Sequence, residues 1–283
     1  MPEKHKTLPF NGRTLHYRVE GRDNTQTVVL LHGFLQNLSV WSALSLRLMH
    51  FFRVVSIDLP GHGYSDSYNN DCHSMDFISR CINEVLITEG ITDCVIIGHS
   101  WGGYAALTYA ENFEYNVKGI GLLHSVAMPD SEEKKQQRLK VCEEMRKHRP
   151  NFVLEFIPSL FAQCNQAVLS HEIEEIKEQA LDITTEAIIA AQMGMMRRSS
   201  SIYFLSRTTV PVMFIYGKQD NRIPLEVATA MATVPAYSQL LLLDNVAHMS
   251  HLENPSAVTR WIANFVMTCY NKNGACDNLT LIG

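Results

Sequence analysis

The sequence predicts an α/β fold with a mainly parallel sheet, interrupted by one all-helical block. Three observations carry that expectation. Short apolar runs rich in Val, Ile and Leu recur along the chain, and most end at glycine or a polar turn. Segments with helical spacing lie between them. One stretch, 126–208, carries helical patterns and no convincing strand. Apolar runs without alternation suit strands buried on both faces. Strand and helix in alternation suit a parallel sheet.

The elements follow in chain order. TLPFNGRTLHYRVEG (7–21) reads as a hairpin, because Asn11-Gly12 is a strong turn dipeptide between two candidate strands. TVVLLHG (27–33), FRVVSIDLPG (52–61), CVIIGHS (94–100) and VKGIGLLHS (117–125) are strand candidates, as are PVMFIYG (211–217) and QLLLLDN (239–245). Helices are expected at 74–90, where Ile78, Cys81, Ile82, Val85 and Leu86 share one face, and at 101–113. Two more are expected at 225–234 and 255–270, each entered through proline. The block 126–208 is too long for a loop and carries helical patterns near 131–148, 151–162, 170–181 and 184–198. The expected organisation is a core of 1–125 and 209–270, an inserted helical block of 126–208 and a tail of 271–283 without clear pattern.

Composition narrows the function classes. The chain has 283 residues, 46% of them hydrophobic, which is enough for a sizeable core. A net charge of −5 gives no basic excess for nucleic acid. SEEKKQQR (131–138) mixes both signs and reads as a solvated helix face. Seven cysteines without a CxxC pair support neither a disulfide framework nor a zinc site. The N-terminus lacks an apolar signal segment, and no run of about 18 apolar residues exists. The expectation is a cytoplasmic protein, monomer or homodimer, with no nucleic-acid or membrane partner.

One motif carries chemistry. GHSWG (98–102) fits G-x-S-x-G and stands where an apolar strand run meets a helix-like segment. A nucleophile elbow requires that context, because the sharp turn tolerates only small neighbours such as Gly98 and Gly102. The competing reading is a glycine-rich turn with a capping serine. A serine hydroxyl attacks only when a base takes its proton, so a histidine held by a carboxylate must follow. In this architecture the expected order is Ser, acid, His. His124 and His148 come too early for an acid placed at a later strand end, and His171 lies in the helical block. His248 follows LLLLDN by a few residues, with His251 the runner-up. For the acid, Asp220 stands just past the strand ending at Gly217; Asp130 is the alternative, and Asp244 reads as a loop cap. An acyl-transfer site also needs oxyanion donors. The Trp101 backbone N–H is one. Phe34 (or Leu35) in the His32-Gly33-Phe34 turn supplies the other, while the His32 side chain holds the loop.

The ordered blocks HGF (32–34), DLPGHGYSD (58–66), GHSWGG (98–103), YGKQDNRIP (216–224) and AHMSHLENP (247–255) resemble the α/β-hydrolase superfamily over essentially all of residues 7–270. The resemblance implies an eight-stranded, mostly parallel sheet flanked by helices, an antiparallel second strand, and 126–208 as a helical cap between strands six and seven. It implies Ser100 as nucleophile, Asp220 as acid, His248 as base, and Phe34 and Trp101 as oxyanion donors. Asp58 and His62 are implied to be structural. Ala247 departs from the glycine that many relatives carry before the catalytic histidine.

Dehalogenases and epoxide hydrolases of this fold use an aspartate where this chain has Ser100, so both are disfavoured. The layout looks most like small-molecule esterases and enol-lactonases. A carboxylic ester is the expected substrate, with a lactone or the C–C bond of a vinylogous diketone as alternatives on the same triad. A non-enzymatic receptor on this scaffold is the reading that the intact triad opposes. No cofactor and no metal are expected. Phe156, Phe161, Ile188, Ala191 and Met195 are candidates for an apolar substrate pocket, against plain packing of the helical block on the core. Arg197 and Arg198 are read as a solvated helix C-terminus rather than a carboxylate anchor.

Overall fold

Asn11 and Gly12 both adopt positive φ, +49° and +73°, the pair of left-handed residues that a two-residue hairpin turn requires. They join β1 (Lys4–Phe10) to β2 (Arg13–Glu20) with Leu8 opposite Leu15. The computed structural model describes residues 4–68 and 71–271; apart from Asn271, the tail segment 271–283 lies outside them. The remaining strands are β3 (Thr27–Leu31), β4 (Arg53–Ile57), β5 (Cys94–His99), β6 (Val117–Leu123), β7 (Val212–Gly217) and β8 (Ser238–Leu243). They form one eight-stranded sheet in the order β1-β2-β4-β3-β5-β6-β7-β8. β2 runs antiparallel to both its neighbours, and every other pairing is parallel.

The central strands β3, β5 and β7 are buried at every residue, as continuous Val/Ile/Leu runs demand when helices cover both faces. The expectation fails at β8. Its leucines are only half-buried until Leu243, because β8 pairs only with β7 and stands at the sheet edge.

The helices are α1 (Ser42–Leu48), α2 (Met75–Thr88), α3 (Trp101–Asn112), α4 (Glu132–Phe156), α5 (Ser170–Asp182), α6 (Thr185–Arg197), α7 (Ile202–Arg207), α8 (Leu225–Ala232), α9 (Ser250–Glu253) and α10 (Pro255–Tyr270). Capping fixes several starts. Ser74, Ser131 and Thr184 each accept a backbone N–H from the first turn of α2, α4 and α6. Between β6 and β7 the described residues form helices and no strand. The two helical patterns expected at 131–148 and 151–162 run together as α4. His148 breaks them with non-helical φ/ψ of −144°/41°, two residues before Pro150. Among the described residues, no helix is long and apolar enough to cross a membrane. The six described cysteines are all free.

Candidate active site

β5 ends at His99 and α3 begins at Trp101, so Ser100 must reverse the chain in one residue. It does so at φ +51°, ψ −111°, a conformation that costs a non-glycine residue about 1–3 kcal/mol and persists only where neighbours over-determine it. Here they do. Ser100 N–H donates to the Leu123 carbonyl at 2.8 Å, and its own carbonyl accepts from Gly103 N–H at 3.0 Å and Ser125 Oγ at 2.8 Å. A Cβ on Gly98 would lie 2.2 Å from the Gly102 carbonyl oxygen, and one on Gly102 2.4 Å from the Leu31 carbonyl oxygen. Only glycine at both positions lets strand and helix close around the serine. The α3 N-terminus beneath Ser100 favours negative charge there.

Asp220 stands three residues past the end of β7, with its side chain fully buried. Its Oδ1 accepts the backbone N–H of Arg222 at 2.8 Å and of Ile223 at 3.3 Å. Its Oδ2 accepts from His248 Nδ1 at 2.9 Å and from His124 Nδ1 at 2.8 Å. Burial by itself would raise its carboxyl, but His248 and the His124 hydrogen bond hold it far below the usual carboxylate range. An ionised carboxylate only accepts, so both Nδ1 atoms carry protons. Nε2 of His248 is thereby left as the acceptor. Among the described residues no hydrogen bond joins Ser100 Oγ to His248; a proton transfer between them would need an approach to about 2.6–3.2 Å.

The His248 loop is held from three sides. Its N–H donates to the Leu160 carbonyl at 2.9 Å, and its carbonyl meets His99 Nε2 at 2.8 Å. Glu253 Oε1 accepts Ala247 N–H at 2.9 Å and Met249 N–H at 3.2 Å. Glu253 Oε2 accepts Ala162 N–H and Asn165 Nδ2, each at 2.8 Å, tying the loop to the helical segment between β6 and β7. Ala247 has no positive φ, so the departure from glycine costs nothing in backbone strain.

The HGF turn adjoins this centre. His32 Nδ1 donates to the Gly33 carbonyl at 2.8 Å and Nε2 accepts Leu59 N–H at 2.9 Å. The loop-holding role read for its side chain fits that geometry. Burial pushes the imidazole below its ordinary range, keeping it neutral. Phe34 is buried, with its ring edge-on to Phe156 at 6.2 Å. The Trp101 indole packs on His62 and His32 at 4.7 and 6.1 Å, which gives this side chain a packing contact that the sequence left blank. Asp58 is a loop hub, accepting Leu38 and Tyr64 N–H at 2.7 and 2.9 Å and meeting His16 Nδ1 at 2.7 Å.

A family model described as the alpha/beta hydrolase family matches residues 28–261. The chain belongs to that family. It is similar to 2-succinyl-6-hydroxy-2,4-cyclohexadiene-1-carboxylate synthase of Enterobacter sp. strain 638, 24% identical over 264 residues, covering 91% of this chain and 96% of the relative. Pimeloyl-[acyl-carrier protein] methyl ester esterase of Pectobacterium atrosepticum is 24% identical, covering 89% of this chain and 98% of the relative. Among solved structures, a thermophilic esterase from Thermogutta terrifontis with malate bound is 28% identical at a TM-score of 0.86, covering 95% of this chain and 99% of that one.

The rejected candidates in this hydrolase are placed elsewhere. Asp130 pairs with Arg138 and, at 2.7 Å, with Arg198 Nη1. Asp244 pairs with Lys218 at the surface. His251 is buried between Trp41 and His99, at ring distances of 4.6 and 4.7 Å, and burial pushes it down to about 3. Two readings need correction. Arg198 is not a solvated helix end: its guanidinium is buried on Asp130 and lies 3.9 Å over the Tyr104 ring. Arg138 likewise leaves the solvated face of α4 for the interior, where one carboxylate pairs with both guanidinia.

The pocket candidates separate. Phe156 is half-buried beside Phe34, with the Arg222 guanidinium 4.8 Å over its ring. Phe161, Ile188, Ala191 and Met195 are buried in the packed core. A cavity of about 530 Å³ is lined by His16, Arg18, Asp58, Tyr64, Asp66 and Ile183 among others, and a second of about 250 Å³ by residues including Glu172, Ile176 and His251. Neither includes Ser100, Asp220, His248 or any of the five candidates.

Among the described residues, His124, Asp220 and His248 alone have ligand atoms spaced for a shared metal ion, all within 4.8 Å. Metal ligation needs bare nitrogens aimed at the ion, whereas both Nδ1 atoms here carry protons directed at one oxygen. The sequence reading weighed His124 only as the base and set it aside, and it missed Glu253. The signal for His124 was its position: it directly follows β6, which lies next to β7, and Asp220 stands just past the end of β7. For Glu253 the sequence held no signal beyond its place in AHMSHLENP.

Proposed function

We propose that this chain is a serine hydrolase that cleaves a small-molecule carboxylic ester through an acyl-enzyme. The observations that carry the reading are a strained Ser100 at the β5–α3 turn and a buried His248–Asp220 pair whose carboxylate stands past the end of β7, a strand parallel to β5 in the same sheet. His248 Nε2 takes the Ser100 proton as Oγ attacks the carbonyl. Phe34 and Trp101 N–H groups stabilise the tetrahedral oxyanion, and His248 returns the proton to the leaving alcohol. Water then cleaves the acyl-enzyme by the same route. Asp220 fixes the His248 tautomer and stabilises its imidazolium. The scheme uses no cofactor and no metal. Relatives named as esterases support an ester substrate.

In this reading, 126–208 is a cap on a core of 1–125 and 209–270. Contacts at its 158–162 turn support this: Leu160 binds His248 N–H, Ser159 accepts from Asn221 Nδ2 at 3.1 Å and from Arg222 Nη2 at 2.7 Å, and Phe156 faces Phe34. The protein acts in the cytoplasm, as a monomer or homodimer, on a small molecule. The test is a fluorophosphonate probe and a panel of p-nitrophenyl esters, lactones and diketones. Wild type labels at Ser100 and turns over esters; Ser100→Ala loses labelling and about 10⁴–10⁶-fold in kcat. Unchanged turnover in Ser100→Ala sinks the proposal.

A further inference from the structure

His124 is the feature that the reaction scheme leaves unused. It sits at φ +49°, directly after β6, with its side chain fully buried. Its backbone N–H is anchored on the Ile215 carbonyl at 3.0 Å, which pins it to β7. Nδ1 donates to the same Asp220 oxygen that His248 uses, at 2.8 against 2.9 Å. The two imidazoles also contact each other, at 5.2 Å between ring centroids and 57° between planes. Nε2 of His124 is buried with no hydrogen-bond partner among the described residues. An unpartnered buried acceptor and a left-handed backbone are both costly, and a leucine or phenylalanine would fill the space without the first of them. What histidine adds is the second donor to Asp220.

We propose that His124 is a positioning residue of the relay: it shares Asp220 Oδ2 with His248 and thereby weakens the charge that Asp220 presents to the base. The inference rests on the hydrolase reading for its consequence in catalysis, but the shared carboxylate stands independently of it. With four donors on two oxygens, Asp220 is saturated and locked in orientation. The second imidazole keeps His248 from being stabilised as a permanent imidazolium, so that it remains a base able to receive the Ser100 proton.

The other titratable groups around the pair do not supply this effect. His99 packs on both imidazoles and His251 packs behind it on His99, and burial holds His99 and His251 below their ordinary range and neutral. Tyr216 lies 6.1 Å from His124, and its hydroxyl donates to the Ser125 carbonyl at 2.5 Å. Glu253 is spent on the backbone of the His248 loop. Arg222 meets Asp220 through its backbone N–H, while its guanidinium lies over Phe156.

The test uses the full chain labelled with ¹⁵N-histidine. Wild type shows two downfield Nδ1–H protons, one each from His124 and His248. His124→Asn puts an amide N–H where Nδ1 stood and tolerates positive φ; His124→Phe keeps the ring volume and removes the donor. The His248 titration midpoint rises by about 0.5–1 unit in His124→Phe and returns to within about 0.2 unit of wild type in His124→Asn. A single downfield proton in wild type overturns the proposal without any variant. Equal midpoints in all three proteins, or equal shifts in both variants, overturn it as well. Since no turnover is read, a Ser100 that fails to label with fluorophosphonate counts against the hydrolase and not against the shared carboxylate.

Discussion

Asp130 and Asp220 follow neighbouring strands, β6 and β7, and both are buried, yet they hold opposite kinds of partner. Asp130 binds two guanidinia, Arg138 and Arg198. Asp220 binds two imidazoles, His124 and His248. For Asp130, burial would raise the carboxyl, and the arginines instead hold it below its ordinary range. Arginine never gives up its proton, so the Asp130 centre is a fixed clasp between β6, α4 and α6. Imidazole does, so the Asp220 centre can change charge during a reaction. The same side chain makes a fixed clasp in one place and a centre open to protonation change in the other, and its partners decide which.

The comparison breaks most sharply at Asp220. Asp220→Asn keeps an oxygen for both histidines but removes the control of tautomer, and kcat falls by about 10⁴ while the urea midpoint stays near wild type. Steady-state kinetics beside chemical denaturation reads both; an unfolded variant with no activity loss per folded molecule goes against it. Asp130→Asn does the reverse. It strands two buried guanidinia, which costs on the order of 3–5 kcal/mol of stability, while kcat of the molecules that remain folded changes less than about tenfold.

Acid gives the next largest effect. Burial pushes His32, His62, His99 and His251 below their ordinary range. The unfolded chain takes up those protons near pH 6.5 and the folded chain does not. Stability is therefore complete above about 6.5 and declines as pH falls toward the folded values, by up to about 1.4 kcal/mol per pH unit for each imidazole. Urea midpoints recorded from pH ~7.5 down to ~4.5 fall steadily before the carboxylates titrate; a flat series there removes the argument. The smallest effect is at Glu253. Glu253→Gln turns an amide N–H toward backbone donors, loosens the His248 loop and lowers kcat about tenfold with KM unchanged, less than the roughly 10² that a 1 Å misplacement can cost. A matching rise in KM would show instead that the insertion had moved.

How much of this was legible can be judged residue by residue. Val28–Leu31 and Val95–Ile97 were legible as strands because a strand buried on both faces has no polar alternation to hide it. α1 and α9 were not, since helices of 7 and 4 residues are too short for a periodic signal. The halves of α4 were legible as two patterns, but not that they run on as one kinked rod. Arg198 was misread because its burial depends on Asp130, 68 residues away.

By itself, the sequence determined the sheet strands and the G-x-S-x-G turn, because each is written in local spacing: apolar period and glycine clearance. Tertiary structure alone decided which of several polar groups share a partner. Strand order set β6 beside β7 and so brought His124 to Asp220; the insertion brought Ala162 and Asn165 to Glu253. Hydrogen bonds act over about 3 Å and say nothing of separation along the chain, so His124 and His248, 96 and 28 positions from Asp220, meet at one of its carboxylate oxygens, which no local pattern marks.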